Sequence, residues 1–389
     1  MKIIPYGKQS IDNSDIAEVV KVLKSDWITQ GPKIDEFENA LAKYCGSKYA
    51  VCVSSGTAAL HLACVAANFK KGDEAITSPI TFLATANSIV YTGARPVFAD
   101  IDYDTINIEP IQIKKKLTKK TKAILPVHFA GLPCDMPEIS KIAKKNKLTV
   151  IEDAAHALGA AYKYKGKWYK IGSCKHSDMT AFSFHPVKHI TTGEGGAITT
   201  NSKKIYEKVK ALRSHGTYKT EGMMKKNGPW HYEMRDLGFN YRITDFQCAL
   251  GVSQMKKLRG FLKERRSIAK VYDKSFGDEA GIFIPGKSGD KREAYHLYVL
   301  KIDFPQFNIN RKEFFKEMRT LGIFCQVHYI PAYLQPYYRG LGYRKGLCPN
   351  AEKVYAEEIS IPLYPTMEDK DVLRVVKSIN KVLKNNGGR

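Results

Sequence analysis

The sequence predicts an α/β protein in which a large domain with a mainly parallel sheet covered by helices is joined to a smaller α+β domain. Two observations carry that prediction. Between about residues 46 and 200, short β-branched runs alternate with helical patterns, the signature of strands linked by covering helices. After about Gly251 the pattern changes to a long charged helix through Arg266, then two strand-like runs, 296–302 and 323–328, around a helix from Arg311. A chain of 389 residues can bury two such cores. We expect 26–250 to form the larger domain and 1–25 with 251–389 the smaller one.

Taken in order, strands are expected at 48–53, 74–77, 96–100, 122–127 and 148–152, with helices from Thr57, from Thr81 and over 137–145. In parallel sheets, ligands gather beyond the carboxyl ends of the strands. The run 162–170 interleaves basic and aromatic residues as a nucleic-acid surface can, but its alternation about Gly166 reads as an exposed β-hairpin. An amphipathic helix follows from Thr244 through Leu258. No internal repeat or low-complexity linker interrupts the chain.

Composition narrows the function. The net charge of +23 raises the question of nucleic acid, yet the lysines occur as scattered pairs and one triplet (114–116) on helical faces. We read them as solvated faces whose positive field attracts an anionic substrate, with no nucleic-acid partner. The sequence is 43% hydrophobic and has no apolar run near the roughly 20 residues of a membrane span, so no membrane partner is expected. The first residues lack the layout of a secretory signal, and a cytoplasmic location is expected. The eight cysteines show no C-x-x-C pair, and His128, His185, His189, His215 and His328 match no ligand spacing. Reduced thiols and no metal follow, with His61 read as a core or helix-surface histidine.

Four short constellations carry chemistry. Ser54-Ser55-Gly56-Thr57-Ala58-Ala59 is a small-residue turn between a strand and a helix, suited to a phosphate or simply a capped turn. Ile151-Glu152-Asp153-Ala154-Ala155-His156 ends a strand on acids. There Asp153 can hold a pyridine nitrogen protonated, or cap a helix. Phe182-Ser183-Phe184-His185-Pro186-Val187-Lys188 places a lysine after an apolar strand and before Thr191-Thr192-Gly193-Glu194-Gly195-Gly196. A lone loop lysine is ordinarily a surface charge; partial burial here lowers its pKa and frees the amine. Gly238-Phe239-Asn240-Tyr241-Arg242 offers an amide, a phenol and a guanidinium to a phosphate, or serves as a helix-entry turn.

Together these residues resemble the DegT/StrS family of sugar-nucleotide aminotransferases, a branch of the type I aminotransferase fold. The resemblance runs along nearly the whole chain, from Tyr6 and the 26–32 loop through SSGTAAL, EDAAHALGA, SFHPVKHITTGEGGA, RSHG and NYR to QVHYIP and 361–365. It implies a mainly parallel mixed sheet and pyridoxal 5'-phosphate as cofactor, with pyridoxamine phosphate as the intermediate form. Lys188 is then the Schiff-base lysine, with Asp153 on the pyridine nitrogen, His156 near the ring hydroxyl and Phe82 stacked on the ring. Gly56, Thr57, Ala58 and Ser183 hold the phosphate. Asn240 reaches the phosphate of the neighbouring subunit's cofactor, which implies a homodimer with shared active sites. Tyr6, Asp26, Trp27, Ile28, Thr29, Gln326, Val327, His328 and Tyr329 form the sugar-nucleotide site.

Within the family, SFHPVKHITTGEGG, DWITQGP and QVHYIPAYLQPYY look most like the pseudaminic acid branch. That resemblance implies L-glutamate as donor and C4 of a UDP-linked 4-keto-6-deoxy-N-acetylhexosamine as acceptor, giving UDP-4-amino-4,6-dideoxy-N-acetyl-β-L-altrosamine. Another nucleotide 4-keto-6-deoxy sugar is the alternative acceptor. Arg213, Arg242 and Arg339 are equal candidates for diphosphate or carboxylate contacts. Two other classes would show different features. Sugar dehydratases of the family carry histidine where this chain has Lys188. A regulator with an aminotransferase-like half is expected to add a helix-turn-helix of roughly 60 or more residues, for which no spare length is seen.

Overall fold

The computed structural model describes residues 2–286 and 288–387. Two helices, α1 (Asn13–Leu23) and α2 (Pro32–Cys45), precede β1 (Tyr49–Val53). Helices and strands then alternate: α3 (Gly56–Ala66), β2 (Glu74–Thr77), α4 (Leu83–Val90), β3 (Arg95–Phe98), α5 (Pro110–Lys115), β4 (Thr121–Leu125), α6 (Met136–Lys145) and β5 (Thr149–Asp153). The predicted hairpin is present as β6 (Ala161–Tyr164) and β7 (Lys167–Lys170), and leads to β8 (Met179–Ser183) and β9 (Gly196–Thr200). The central sheet has seven strands in the order β1-β9-β8-β5-β4-β2-β3. Only β9 breaks the parallel pattern, running antiparallel to both β1 and β8.

The local sequence explains these boundaries. β4, β5, β8 and β9 lie in the middle of the sheet and are almost wholly buried, so they read as continuous apolar runs rather than alternating ones. Ser55 starts α3 by accepting from the Ala58 N–H, and Asp135 starts α6 by accepting from the Glu138 N–H. α2 opens on Pro32 and stops at Gly46, whose φ of 81° is left-handed.

Beyond the sheet come α7 (Lys203–Leu212), a ribbon of β10 (Thr217–Tyr218) and β11 (Glu233–Met234) enclosing α8 (Glu221–Asn227), and then α9 (Asp245–Phe276). The two helical stretches expected around residue 250 are one helix of 32 residues, about 48 Å long. Its Thr244–Gln247 capping box sets the start. Val252, Leu258 and Leu262 pack into the core under the large sheet, where Gly251 lies so close to Phe37 that a Cβ would come within 2.7 Å of the ring. Ile268, Ala269, Tyr272 and Phe276 belong to a second core.

That second core is built on a three-stranded sheet of β12 (Ile282–Phe283), β14 (Tyr298–Ile302) and β15 (Glu358–Ile361), in the order β12-β14-β15. A short β13 (Lys291–Arg292) instead extends the β6–β7 hairpin. α10 (Arg311–Thr320) begins where expected, followed by α11 (Pro336–Gly340), α12 (Pro349–Glu357) and α13 (Asp369–Gly387). On α13 the buried positions 372, 375, 379, 382 and 383 make one apolar stripe against this core, which Ile4 from the N-terminus also joins.

The strand expected over 323–328 is not regular. Its pairing is split between two partners, Ile4 with Ile323 and Gln326 with Ser360, as the chain turns into the wall of a cleft. Among the described residues all eight cysteines are free thiols, no cluster of three metal-binding side chains occurs, and no helix is long and apolar enough to cross a membrane.

Candidate active site

A cleft of about 560 Å³ opens at the carboxyl ends of β5 and β8, between the large sheet and the segment 326–329. This is where a parallel sheet presents its ligands. Asp153 is the last residue of β5 and Ser183 the last of β8. The N-terminus of α3 supplies Gly56 and Thr57, and the N-terminus of α4 supplies Phe82.

Asp153 forms a fixed floor. Thr85 on α4 donates its hydroxyl to Asp153 Oδ2 at 2.5 Å, and Thr81 in turn lies 2.6 Å from the Thr85 hydroxyl. The Ala155 N–H donates to Oδ1 at 3.0 Å. With both oxygens accepting, the carboxylate is aimed rather than free to rotate. Behind it, Glu152 is wholly enclosed, accepting from Thr180 at 2.7 Å and pairing with His128 at 2.8 Å. That network ties β5 to β8 and to the turn after β4.

Lys188 comes from the loop after β8 and is half-buried in the cleft wall. Burial lowers its pKa from the ordinary lysine value to about 8, against the opposing pull of the Asp153 carboxylate, and the Arg265 guanidinium lowers it further. Its Nζ lies 3.3 Å from His296 Nε2. His156 sits beside this pair with its Nε2 3.2 Å from the Tyr329 hydroxyl, while its buried Nδ1 has no partner among the described residues. Burial, Lys188 and the neighbouring imidazoles push the His156 pKa well below the usual value, so the ring is neutral.

The opposite wall is Tyr6, Gln326, Val327, His328 and Tyr329. His328 is held by its Nδ1 at 2.8 Å from Ser360 Oγ and by its N–H, which donates to Glu358. Burial lowers its pKa to about 3, with the Lys188 charge acting in the same direction. The Tyr6 ring stands 5.4 Å from the His328 ring. Phe82 is 59% exposed and 6.1 Å from the Tyr329 ring, so one of its faces is open at the mouth of the cleft.

These residues fit a flat ring that carries a protonatable nitrogen at one end and a phosphate tail at the other. Gly56 touches Ser183 so closely that a Cβ would come within 2.7 Å of its Cβ, which brings helix N–H groups and a hydroxyl together at one end of the cleft. At the other end are an aimed carboxylate, a lysine amine and an orphaned imidazole nitrogen. A model of the DegT/DnrJ/EryC1/StrS aminotransferase family matches residues 9–380. The chain belongs to that family.

In this aminotransferase family the chain is 42% identical to a Campylobacter jejuni UDP-4-amino-4,6-dideoxy-N-acetyl-beta-L-altrosamine transaminase, covering 98% of both chains. It is 41% identical to the Bacillus subtilis spore coat polysaccharide biosynthesis protein SpsC, covering 98% of this chain and 97% of that one. The solved structure of a putative sugar aminotransferase, Spr1654 from Streptococcus pneumoniae in its PMP form, superposes with a TM-score of 0.91 at 30% identity, covering 98% of this chain and 99% of that one. The chain is therefore a sugar aminotransferase dependent on pyridoxal phosphate.

Of the residues named from sequence, the structure gathers Tyr6, Gly56, Thr57, Phe82, Asp153, His156, Ser183, Lys188 and 326–329 around one cleft. Ala58 stands just outside it, its N–H already given to Ser55 Oγ at 3.0 Å. Asp26, Trp27, Ile28, Thr29 and Asn240 are exposed and do not line the cleft of their own chain. Arg213 is no ligand for a diphosphate: it is buried, donating to Glu38 at 2.6 Å and to the Cys52 carbonyl at 2.7 Å. Sequence reading did not find Thr85, Thr81 or His296. The two threonines look like ordinary small residues of a helix start, and His296 lies in a run read as a strand.

Proposed function

We propose that this enzyme transfers the amino group of L-glutamate to C4 of a UDP-linked 4-keto-6-deoxy-N-acetylhexosamine, giving UDP-4-amino-4,6-dideoxy-N-acetyl-β-L-altrosamine, a step towards pseudaminic acid. It works in the cytoplasm as a homodimer with shared active sites. The observation that carries this reading is the end-to-end similarity to the altrosamine transaminase together with the matching cleft motifs. The similarity to SpsC at 41% favours a second reading, in which the acceptor is another nucleotide 4-keto-6-deoxy sugar.

Pyridoxal phosphate, when bound, supplies a carbonyl carbon that takes up the amino group and a ring that accepts electrons. The chain's own groups do the rest. Lys188 has a pKa low enough to be a neutral amine in an appreciable fraction of molecules, so it can bond to a carbonyl carbon and afterwards carry protons between the carbons that exchange nitrogen. Asp153, fixed by Thr85 and Ala155, opposes a protonated ring nitrogen. Gly56, Thr57 and Ser183 would hold the phosphate end, with Asn240 reaching the partner's site. His156 would meet the ring hydroxyl and Phe82 would cover one face. Tyr6, Gln326, Val327, His328 and Tyr329 form the sugar side, with 26–29 completing it.

Absorbance of the lysine-bound cofactor tests the proposal. Glutamate should remove the visible band, and a UDP-4-keto-6-deoxy-N-acetylhexosamine of the L-series should restore it. Recovery only with a D-series or differently linked sugar would sink the altrosamine assignment in favour of the second reading.

A further inference from the structure

A side chain distant in sequence, His296, lies within hydrogen-bonding reach of the Lys188 amine. His296 precedes β14 and is buried behind the cleft wall, with its backbone clamped on both sides. Its N–H donates to the Ala130 carbonyl at 2.8 Å, and its own carbonyl accepts from Arg265 at 3.2 Å. Arg265 is 1% exposed and also donates to the carbonyls of Tyr295 (3.1 Å) and Leu363 (2.9 Å).

The imidazole is equally confined. It packs 4.4 Å from the His156 ring and 5.7 Å from the His189 ring, and His189 is itself anchored 3.0 Å from the Ala294 carbonyl. His296 Nε2 lies 3.3 Å from Lys188 Nζ, and Nδ1 has no hydrogen-bond partner among the described residues. Burial, followed by Lys188, His156, His189 and Arg265, holds the ring neutral. A neutral imidazole can accept from an amine or donate to one, so the pair survives a change in the lysine's protonation state.

We propose that His296 is a positioning residue for Lys188, the dock that holds the lysine amine whenever it is not bonded to the cofactor. A lysine side chain turns about four bonds, and an amine left to roam would have to be re-ordered before each new bond to the cofactor. A dock held by Ala130, Arg265, His156 and His189 restricts that search. His296 itself does not line the cleft.

The test uses two cofactor forms on the cofactor-free protein. Pyridoxamine phosphate has no aldehyde, so its affinity reports the phosphate and ring contacts alone. The rate at which pyridoxal phosphate develops its visible band reports bonding by Lys188. In His296→Phe, which keeps a ring but no nitrogen, pyridoxamine phosphate affinity should be unchanged and the capture rate should fall about tenfold, the worth of one hydrogen bond. His296→Gln, which restores a polar atom, should recover part of the rate. A native capture rate in His296→Phe would overturn the proposal, and so would an equal loss of pyridoxamine phosphate affinity, which marks a structural role. Should the phenylalanine variant be insoluble, the same comparison between His296→Leu and His296→Gln decides. None of these measurements uses a sugar or an amino donor, so the outcome is independent of the substrate assignment.

Discussion

At the scale of single residues, the cleft rests on how two side chains are held. Lys188→Ala should abolish turnover and the visible band while still binding pyridoxamine phosphate, because the phosphate end and Asp153 are untouched; residual native turnover would refute the lysine's role. The depressed lysine pKa has a definite sign. Bonding needs the neutral amine, so capture of pyridoxal phosphate by the cofactor-free protein should climb about tenfold per pH unit below about 8 and level off above it. An ordinary lysine would keep climbing towards 10.5. Asp153 depends on Thr85, whose hydroxyl donates to it at 2.5 Å. A hydrogen bond to a charged group contributes roughly 1.5–3 kcal/mol, so Thr85→Val should lower kcat roughly ten- to hundredfold with an unchanged circular dichroism spectrum. That Lys188 and Asp153 share one cleft is legible because both sit in extended motifs. Thr85 is not, since nothing local distinguishes a threonine that serves a residue 68 positions away.

At the scale of elements, legibility follows the range of the interactions that define each one. Helix starts written by adjacent caps, such as Ser55 and Asp135, and strands buried on both faces could be read directly. The reversed direction of β9 could not, because a buried five-residue strand has the same pattern whichever way it runs. Nor could the split pairing of 323–328, whose partners are distant in sequence. Arg213 illustrates the same limit. Its charge suggested a ligand contact, yet its partners are Glu38 on α2 and the β1 backbone at Cys52, so it fastens the end of α7 to both. Burial pushes the Glu38 carboxyl up and the Arg213 charge opposes that shift, so removing the guanidinium leaves the buried acid without its main counter-charge. Arg213→Ala should therefore destabilise the fold by about 3–5 kcal/mol while leaving KM for the sugar unaltered in whatever enzyme folds. For a chain of this length that is about 4–6 °C in Tm by calorimetry. A raised KM at unchanged Tm would instead restore the arginine as a ligand.

At the scale of the whole molecule, one chain builds most of a site and leaves several expected members outside it. Asn240 and 26–29 are exposed, and near Asn240 the segment around the β10–β11 ribbon presents Trp230 at 75% exposure and Leu237 at 78%. Apolar side chains so open, beside exposed residues that do not line the cleft of their own chain, suit a two-fold interface in which each subunit completes the other's cleft. The arrangement makes a prediction that a site confined to one subunit cannot meet. Lys188→Ala lacks the amine but keeps Asn240, whereas Asn240→Ala lacks the amide but keeps the amine. Neither homodimer should turn over at the native rate. If the two proteins are dissociated, mixed equally and reassociated, half the dimers are hybrids, and each hybrid holds one cleft with both groups intact. Activity should then rise to about a quarter of native at equal total protein. Strictly additive activity, with hybrids demonstrated by differently tagged chains, would mean that Asn240 acts within its own subunit, and the shared-site homodimer would have to be abandoned.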